Sequence, residues 1–492
     1  MKFKLLRFFQ HTFKFALSGA IGAVLTLLIV FVVMLNNRPD LSLWHEVDLD
    51  EEFTIHSDVR TFAEYLALED RLFKQLDDQV YTPTAYDNES MINRFNRNSW
   101  SDPGKWPQNW NRTYEMPVDS PRATALLLHG MSDSPYSLHN FAERLHRAGA
   151  YVVGLRIPGH GTAPSGLLRV RWQDMAAAVK IAMRYVEEKA GSNPVYIIGY
   201  SNGAALAVNY ALDAATDSTM PQVDKLVLLS PEIGLPKVAA FAVWQARLGI
   251  LLGLDKLAWN GLLPEYDPYK YGSFAVNAAD VAYRLTVQIQ NQITALGKKN
   301  ELDRVAPILA FSSVVDATVA APALIGNLFD RLPEGGHQLI LFDVNRVAQM
   351  QPIIGWRSDE LDRVLQSDPD WKFTLGLVTN KDPGTLEVLL SRKKPGEAAS
   401  VQTDLGLSWP RNVYSLSHVA LPFPVDDPLY GAESDSRNPD LVHLGDVALR
   451  GERGALRVPA AEMLRQRWNP FYPFVEETTL QFLNLETPGG RY

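Results

Sequence analysis

Short, almost wholly apolar runs recur along the chain from Pro121 onward: Thr124–Leu128, Tyr151–Leu155, Val195–Ile198, Leu226–Leu229 and Ile308–Phe311. Each is followed by a turn containing Gly, Pro or Ser. Such runs, with no polar alternation, bury both faces, which is how the strands of a central parallel sheet read. The stretches between them, such as Leu138–Arg147 and Trp172–Lys189, read as helices. Alternating β and α units joined by right-handed crossovers predict an α/β fold with a doubly wound, mostly parallel sheet. Ligands bind such sheets outside the carboxyl ends of the strands, so the residues just past each run are the ones to inspect. Two segments interrupt the alternation. Residues 233–302 are helical in pattern and partly apolar (Phe241, Trp244, Leu248, Leu251, Leu252), which suits a helical cap insertion over the ligand face. Residues 345–412 read as a second insertion, with strand-like pieces at Phe373–Val378 and Leu386–Leu390.

The chain ahead of Pro121 has a different pattern. Phe15 to Leu35 is a run of 21 residues without a charge. As a helix it spans about 30 Å, the thickness of a bilayer's hydrocarbon core. Lys2, Lys4, Arg7 and Lys14 precede it, whereas Asp48, Asp50, Glu51 and Glu52 follow. The positive-inside rule places residues 1–14 in the cytosol and everything after Leu35 on the far side, periplasmic in a Gram-negative inner membrane. Asn36-Asn37-Arg38-Pro39 offers no small-x-small cleavage site, so 15–35 is expected to be an uncleaved transmembrane helix and not a signal peptide. Residues 36–120 form a juxtamembrane region. It has a helical stretch over Phe62–Val80 and a tryptophan cluster (Trp100, Trp106, Trp110), both expected to pack on the domain formed by 121–492.

Composition adds exclusions. At 492 residues, 46% apolar and 21% charged, the chain is globular and large enough for one big domain with insertions. A net charge of -9, with no basic cluster past the first residues, gives no reason to expect a nucleic-acid partner. The absence of cysteine rules out disulfides, zinc–thiolate sites and cysteine nucleophiles. No cluster has metal-ligand spacing, so neither a metal nor an organic cofactor is expected.

The strongest local signal is Gly199-Tyr200-Ser201-Asn202-Gly203, placed between the strand Val195–Ile198 and a helix of small residues. Glycines flank the serine because so sharp a strand-to-helix turn leaves no room for side chains there, and the turn presents the hydroxyl at the strand's carboxyl end. A serine hydroxyl needs a base within hydrogen-bond reach to act as a nucleophile. Of ten histidines, His129 and His160 precede the serine and read as residues shaping site loops. In the Ser–acid–His order of this kind of sheet the base comes last, which leaves His337, His418 and His443. His337 begins the apolar run Gln338–Phe342, the wrong end of a strand, and His443 lies in a late charged segment. His418 follows a short strand-like piece and precedes a Pro-rich loop, and is the preferred base. For the acid, Asp316 lies just past Ile308–Phe311, with Asp343, past Gln338–Phe342, as competitor. The backbone N–H of Asn202 is the expected first oxyanion donor, and the loop after His129-Gly130 should supply a second, from Met131.

Four motifs together carry a resemblance: Leu-Leu-Leu-His-Gly-Met (126–131), Arg-Ile-Pro-Gly-His-Gly-Thr-Ala-Pro-Ser-Gly (156–166), Gly-Tyr-Ser-Asn-Gly (199–203) and Val-Val-Asp-Ala-Thr-Val (314–319). The set resembles the bacterial carboxylesterase and monoacylglycerol-lipase branch of the α/β-hydrolases, over roughly residues 121–235 and 303–344. The resemblance implies the α/β-hydrolase fold and ester hydrolysis through an acyl-enzyme, with Met131 and Asn202 at the oxyanion positions. In that branch the histidine follows the acid by a few tens of residues. Here Asp316 and His418 are 102 apart, so the second insertion would have to leave the sheet and return. The expected substrate is a small-molecule or lipid ester, since a partly apolar cleft near a bilayer would meet amphipathic esters. Thioesterase, amidase and acyltransferase activities use the same triad, and a binding protein that kept the fold is the non-enzymatic alternative.

Overall fold

The structure is a computed structural model that describes residues 37–84, 90–234, 255–316, 321–347, 371–397, 399–433, 440–445 and 459–486, with helical pieces between 17 and 33. Its strands are β1 (Tyr114–Met116), β2 (Ala123–Leu128), β3 (Ala150–Leu155), β4 (Val195–Tyr200), β5 (Lys225–Leu229), β6 (Trp259–Gly261), β7 (Phe274–Ala275), β8 (Ile308–Ser313), β9 (Gln338–Phe342), β10 (Thr374–Asn380), β11 (Glu387–Lys393) and β12 (Val401–Ser408). Ten of them form one sheet, in the order β1-β3-β2-β4-β5-β8-β9-β10-β11-β12. The seven strands from β3 to β10 run parallel, and the apolar runs of the sequence are β2, β3, β4, β5 and β8. Alternate residues of each strand enter different cores. Leu126 and Leu128 of β2 join the apolar cluster on one face, and Ala125 and Leu127 join that on the other. Burial on both faces is why these strands show no polar alternation.

Helices α1 (Phe62–Leu76), α3 (Trp172–Ala190), α4 (Asn202–Thr216) and α5 (Val276–Lys299) cover the first face, while α2 (His139–Arg147) and α6 (Tyr472–Phe482) cover the second. Helix α1 begins in a capping box in which Thr61 accepts from Glu64 N–H and the Glu64 carboxylate accepts from Thr61 N–H. It turns Tyr65, Leu68, Leu72 and Leu76 inward. Behind it the fully buried Arg156 guanidinium binds Glu52 through two N–H groups at 3.0 Å and Glu69 at 3.0 Å. The Tyr65 hydroxyl donates to Arg156 O at 2.7 Å. Residues 45–76 are thereby fastened to the end of β3. Of the tryptophan cluster, Trp106 packs edge-on against Tyr269 and Trp110 edge-on against Tyr114, while Trp100 is exposed.

Two expectations change here. Within the segment read as a second insertion, the described strands belong to the main sheet. Phe373–Val378 and Leu386–Leu390 lie largely in β10 and β11, and β10 pairs parallel with β9. The reason is that β9 is buried on both faces, so the sheet continues until it reaches a strand that tolerates water. That strand is β12, whose Val401–Asp404 are exposed. The cap insertion over 233–302 also divides. Residues 235–254, with Phe241, Trp244, Leu248, Leu251 and Leu252, lie outside the described residues. Helix α5 packs along α4 in the first-face core, because Leu285, Ile289 and Ile293 form an apolar stripe with nowhere drier to go. Among the described residues of this stretch, the loop and ribbon 259–274 lie over the strand ends.

The expected N-terminal anchor falls largely outside the described residues. Among the described residues no helix is long and apolar enough to cross a membrane, and much of 15–35 lies outside them. Leu17, Ile21, Leu25, Ile29, Val30 and Val33, which are described, are exposed. Just beyond, the Arg38 guanidinium donates to the carbonyls of Lys256, Trp259 and Asn260 at 2.6, 2.9 and 3.1 Å.

Candidate active site

At the carboxyl end of β4 the chain turns through Ser201 at φ 53° and ψ -116°, a left-sided conformation that costs a non-glycine residue about 1–3 kcal/mol. The flanking glycines make the turn possible. A Cβ on Gly203 would lie 2.0 Å from Leu128 O, and one on Gly199 would lie 2.5 Å from Ala204 Cα. The elbow is also tied to its neighbour strand, since Ser201 N–H donates to Leu229 O at 2.9 Å and Glu232 N–H donates to Ser201 O at 3.1 Å.

The Ser201 Oγ lies 2.9 Å from His418 Nε2, and His418 Nδ1 lies 2.8 Å from Asp316 Oδ2. All three residues are buried to within a few per cent of exposure. A carboxylate accepting from Nδ1–H leaves Nε2 as the acceptor for the hydroxyl proton. Asp316 lies three residues past β8, as the carboxyl-end rule requires. His418 differs from expectation in how it is held. It opens a short 3-10 turn, His418–Ala420, and no strand leads into it. Asn345, just past β9, takes that role: its N–H donates to Tyr414 O at 2.8 Å and its side-chain amide to Val413 O at 3.0 Å. This clamp holds the chain returning from β12 at the carboxyl ends of the strands, and β9 to β12 fill the long spacing from Asp316.

The competing residues have other occupations. Asp343 binds Arg346 at 2.5 and 2.9 Å, the Thr379 hydroxyl at 2.9 Å and Val344 N–H at 2.8 Å. His337 accepts from Ile308 N–H at 3.2 Å at the amino end of β9, and burial lowers its pKa to about 4. His129 Nε2 accepts from Ile157 N–H at 3.0 Å and its Nδ1 donates to Gly130 O, so it joins the loops after β2 and β3. His160 stands against it, ring centroids 5.0 Å apart, and burial lowers its pKa to about 4.

Gly130 presses on the serine so closely that a Cβ there would be 3.2 Å from Ser201 Cβ, which puts the Met131 turn beside the hydroxyl. That turn is braced by residues the sequence did not single out. Lys270 Nζ binds Asp133 Oδ1 at 2.6 Å, and Tyr271 N–H donates to Ser132 O at 2.8 Å. Neither the Met131 nor the Asn202 N–H is taken by a loop or turn carbonyl among the described residues.

Above Ser201 and His418 lies a cavity of about 440 Å³. Its wall is apolar at Leu263, Phe274 and Phe423 and charged at Lys270, Arg465 and Arg467. Glu232, also absent from the sequence reading, lines it too. Burial raises the Glu232 carboxyl to about 7, opposed by the charge of His418. No group of acidic and imidazole side chains among the described residues could hold a metal ion.

Residues 119–343 match the profile of the family described as serine aminopeptidase, S33. The chain is similar to the thermostable monoacylglycerol lipase of Bacillus sp. (strain H-257), 26% identical over 115 residues, or 23% of this chain and 43% of that enzyme. The match thus spans less than half of that relative's length. Among solved structures it is similar to one from work on the metagenome-derived lipolytic enzymes LipS and LipT (20% identical, 48% of this chain and 87% of that one, TM-score 0.35). It is also similar to the monoacylglycerol lipase of Paleococcus ferrophilus (19%, 47% and 89%, TM-score 0.35). With the profile running from β2 to β9 and the serine elbow at the end of β4, the chain has the α/β-hydrolase fold and is similar to the carboxylesterases and monoacylglycerol lipases built on it.

Proposed function

We propose that this protein hydrolyses carboxylic esters through an acyl-enzyme on Ser201. The observation that carries the reading is the hydrogen-bonded line from Ser201 through His418 to Asp316 at the floor of the cavity. In this reading His418 Nε2 takes the hydroxyl proton as Oγ attacks the ester carbonyl, and Asp316 stabilises the imidazolium. The Met131 and Asn202 N–H groups receive the oxyanion. His418 then protonates the departing alcohol, and water releases the acid by the same steps in reverse.

The part-apolar, part-charged wall suits an amphipathic ester, with its acyl chain against Leu263, Phe274 and Phe423 and its polar end toward Lys270, Arg465 and Arg467. Similarity to a monoacylglycerol lipase supports the same substrate class. Turnover of one acyl group presented as ester, thioester and amide, over increasing chain length, tests the reading. Esters should lead, and His418→Ala and Asp316→Asn should each lower kcat by orders of magnitude. Preference for amides, or turnover surviving in His418→Ala, would overturn it.

The anchor belongs to the same proposal: Phe15–Leu35 holds the domain at the non-cytosolic face of a membrane. Its support is the charge-free run, the basic residues before it and the exposed apolar side chains among its described positions. Alkaline carbonate extraction should leave the chain in the membrane pellet with an intact N-terminus; release into the supernatant would contradict the anchor.

A further inference from the structure

We propose that Glu232 positions the water that hydrolyses the acyl-enzyme, and so directs the acyl group to water and away from alcohols. The proposal rests on the serine-hydrolase reading above. Glu232 lies at the carboxyl end of β5, two residues past Ser230, whose φ of 44° turns the chain toward the elbow. The bond from its own N–H to Ser201 O fixes its backbone beside the nucleophile.

Its carboxyl is the anomaly of the cavity. The residue is 7% exposed, Oε2 is buried, and that oxygen has no hydrogen-bond partner among the described residues. The other buried carboxylates of the wall are satisfied, Asp133 by Lys270 and Asp267 by the Tyr430 hydroxyl and two backbone N–H groups. A buried carboxyl oxygen without a donor is unfavourable unless the occupant of the cavity supplies one.

The chemistry selects which occupant. In deacylation a water oxygen bonds to the acyl carbon while His418 Nε2 takes one of its protons. The carbon–Oγ bond then breaks, and Oγ recovers the proton from the imidazolium. The water's other proton stays on the attacking oxygen and needs an acceptor, which Glu232 provides. An alcohol has a single proton, which His418 takes, and it would turn carbon toward Glu232. A carboxylate at this position therefore favours water. The charged groups facing it are His418 and Asp316, and it in turn is felt by the Tyr200 hydroxyl. Burial raises its pKa to about 7, so its acceptor form grows as pH rises through that value.

The test is the partition of the acyl group from p-nitrophenyl acetate between water and added methanol, read as acetate against methyl acetate. This ratio depends only on steps after acylation. Glu232→Ala should lower the acetate share by about ten-fold or more, the scale of a lost positioning contact. Glu232→Gln, whose amide oxygen still accepts, should fall between. In the unmodified protein the acetate share should rise with pH through about 7, and in Glu232→Gln it should be flat. Should Glu232→Ala fail to fold, the Gln variant and the pH dependence decide. An unchanged partition in both, in a protein that Ser201→Ala inactivates, overturns the role of Glu232 alone. Turnover surviving in Ser201→Ala overturns the acyl-enzyme and this proposal with it.

Discussion

Arg156→Met removes the cation that joins the N-terminal region to the sheet. The Arg156 side chain is 0% exposed, that of Glu69 3% and that of Glu52 17%. The guanidinium also donates to His160 O at 3.1 Å. Its loss leaves two carboxylates with little access to water. Glu69 keeps only Thr113 N–H and hydroxyl donors, and Glu52 keeps the Phe53 and Gly159 N–H groups. Breaking a buried pair by deleting one partner costs about 3–5 kcal/mol, most of it the desolvated charge left behind. Urea unfolding of the full chain in detergent should show a loss of that size. It should persist in high salt, because solvent ions do not reach the site. Adding Glu52→Gln and Glu69→Gln to Arg156→Met should recover most of the loss, since no net charge then remains buried. Removing the exposed Arg169–Asp48 pair, with side chains 76% and 56% exposed, should change stability by less than about 1 kcal/mol. A loss below about 1 kcal/mol for Arg156→Met would refute the claim that this cluster fastens residues 45–76 to the core.

Gly203→Ala should destabilise the chain by more than about 2 kcal/mol and abolish turnover, since its Cβ meets the Leu128 carbonyl, which cannot move without distorting β2; thermal unfolding with ester turnover checks both. His45, His160 and His337 are each lowered by burial from 6.5 to about 4. They stay neutral in the folded chain while the unfolded chain protonates them. Their contribution is therefore complete above pH 6.5 and is lost as pH falls toward 4, so the urea midpoint should drop over that window with proton uptake on unfolding. Asp343→Asn should keep kcat/KM within about ten-fold, because its bonds to Arg346 and Thr379 serve the end of β9 and not the chemistry.

Much of the fold was legible because the parallel strands are buried on both faces, which leaves short apolar runs whose length and flanking turn residues mark them as strands. The approach of Ser201, Asp316 and His418 was legible too, from chain order and from the rule that strand ends face the ligand. The same rule pointed past Leu226–Leu229, where Glu232 lies, but no motif marked that residue, and what distinguishes it is a buried oxygen with no partner among the described residues, visible only in three dimensions. The stretch 345–412 misled because β12 is exposed along most of its length and so lacks the apolar signature of its neighbours. His418 owes its position to Asn345, and a side-chain clamp across a loop leaves no periodic trace. Lys270–Asp133 and Arg156–Glu52 join residues 137 and 104 positions apart, pairings that local spacing cannot reveal.

The central claim, that Ser201 is the nucleophile activated by His418, is tested most directly by labelling the full chain with a fluorophosphonate. The adduct should map by mass spectrometry to Ser201 alone, and labelling should vanish in Ser201→Ala and slow by several powers of ten in His418→Ala. An adduct on another residue, or labelling that persists at the original rate in either variant, would contradict the account.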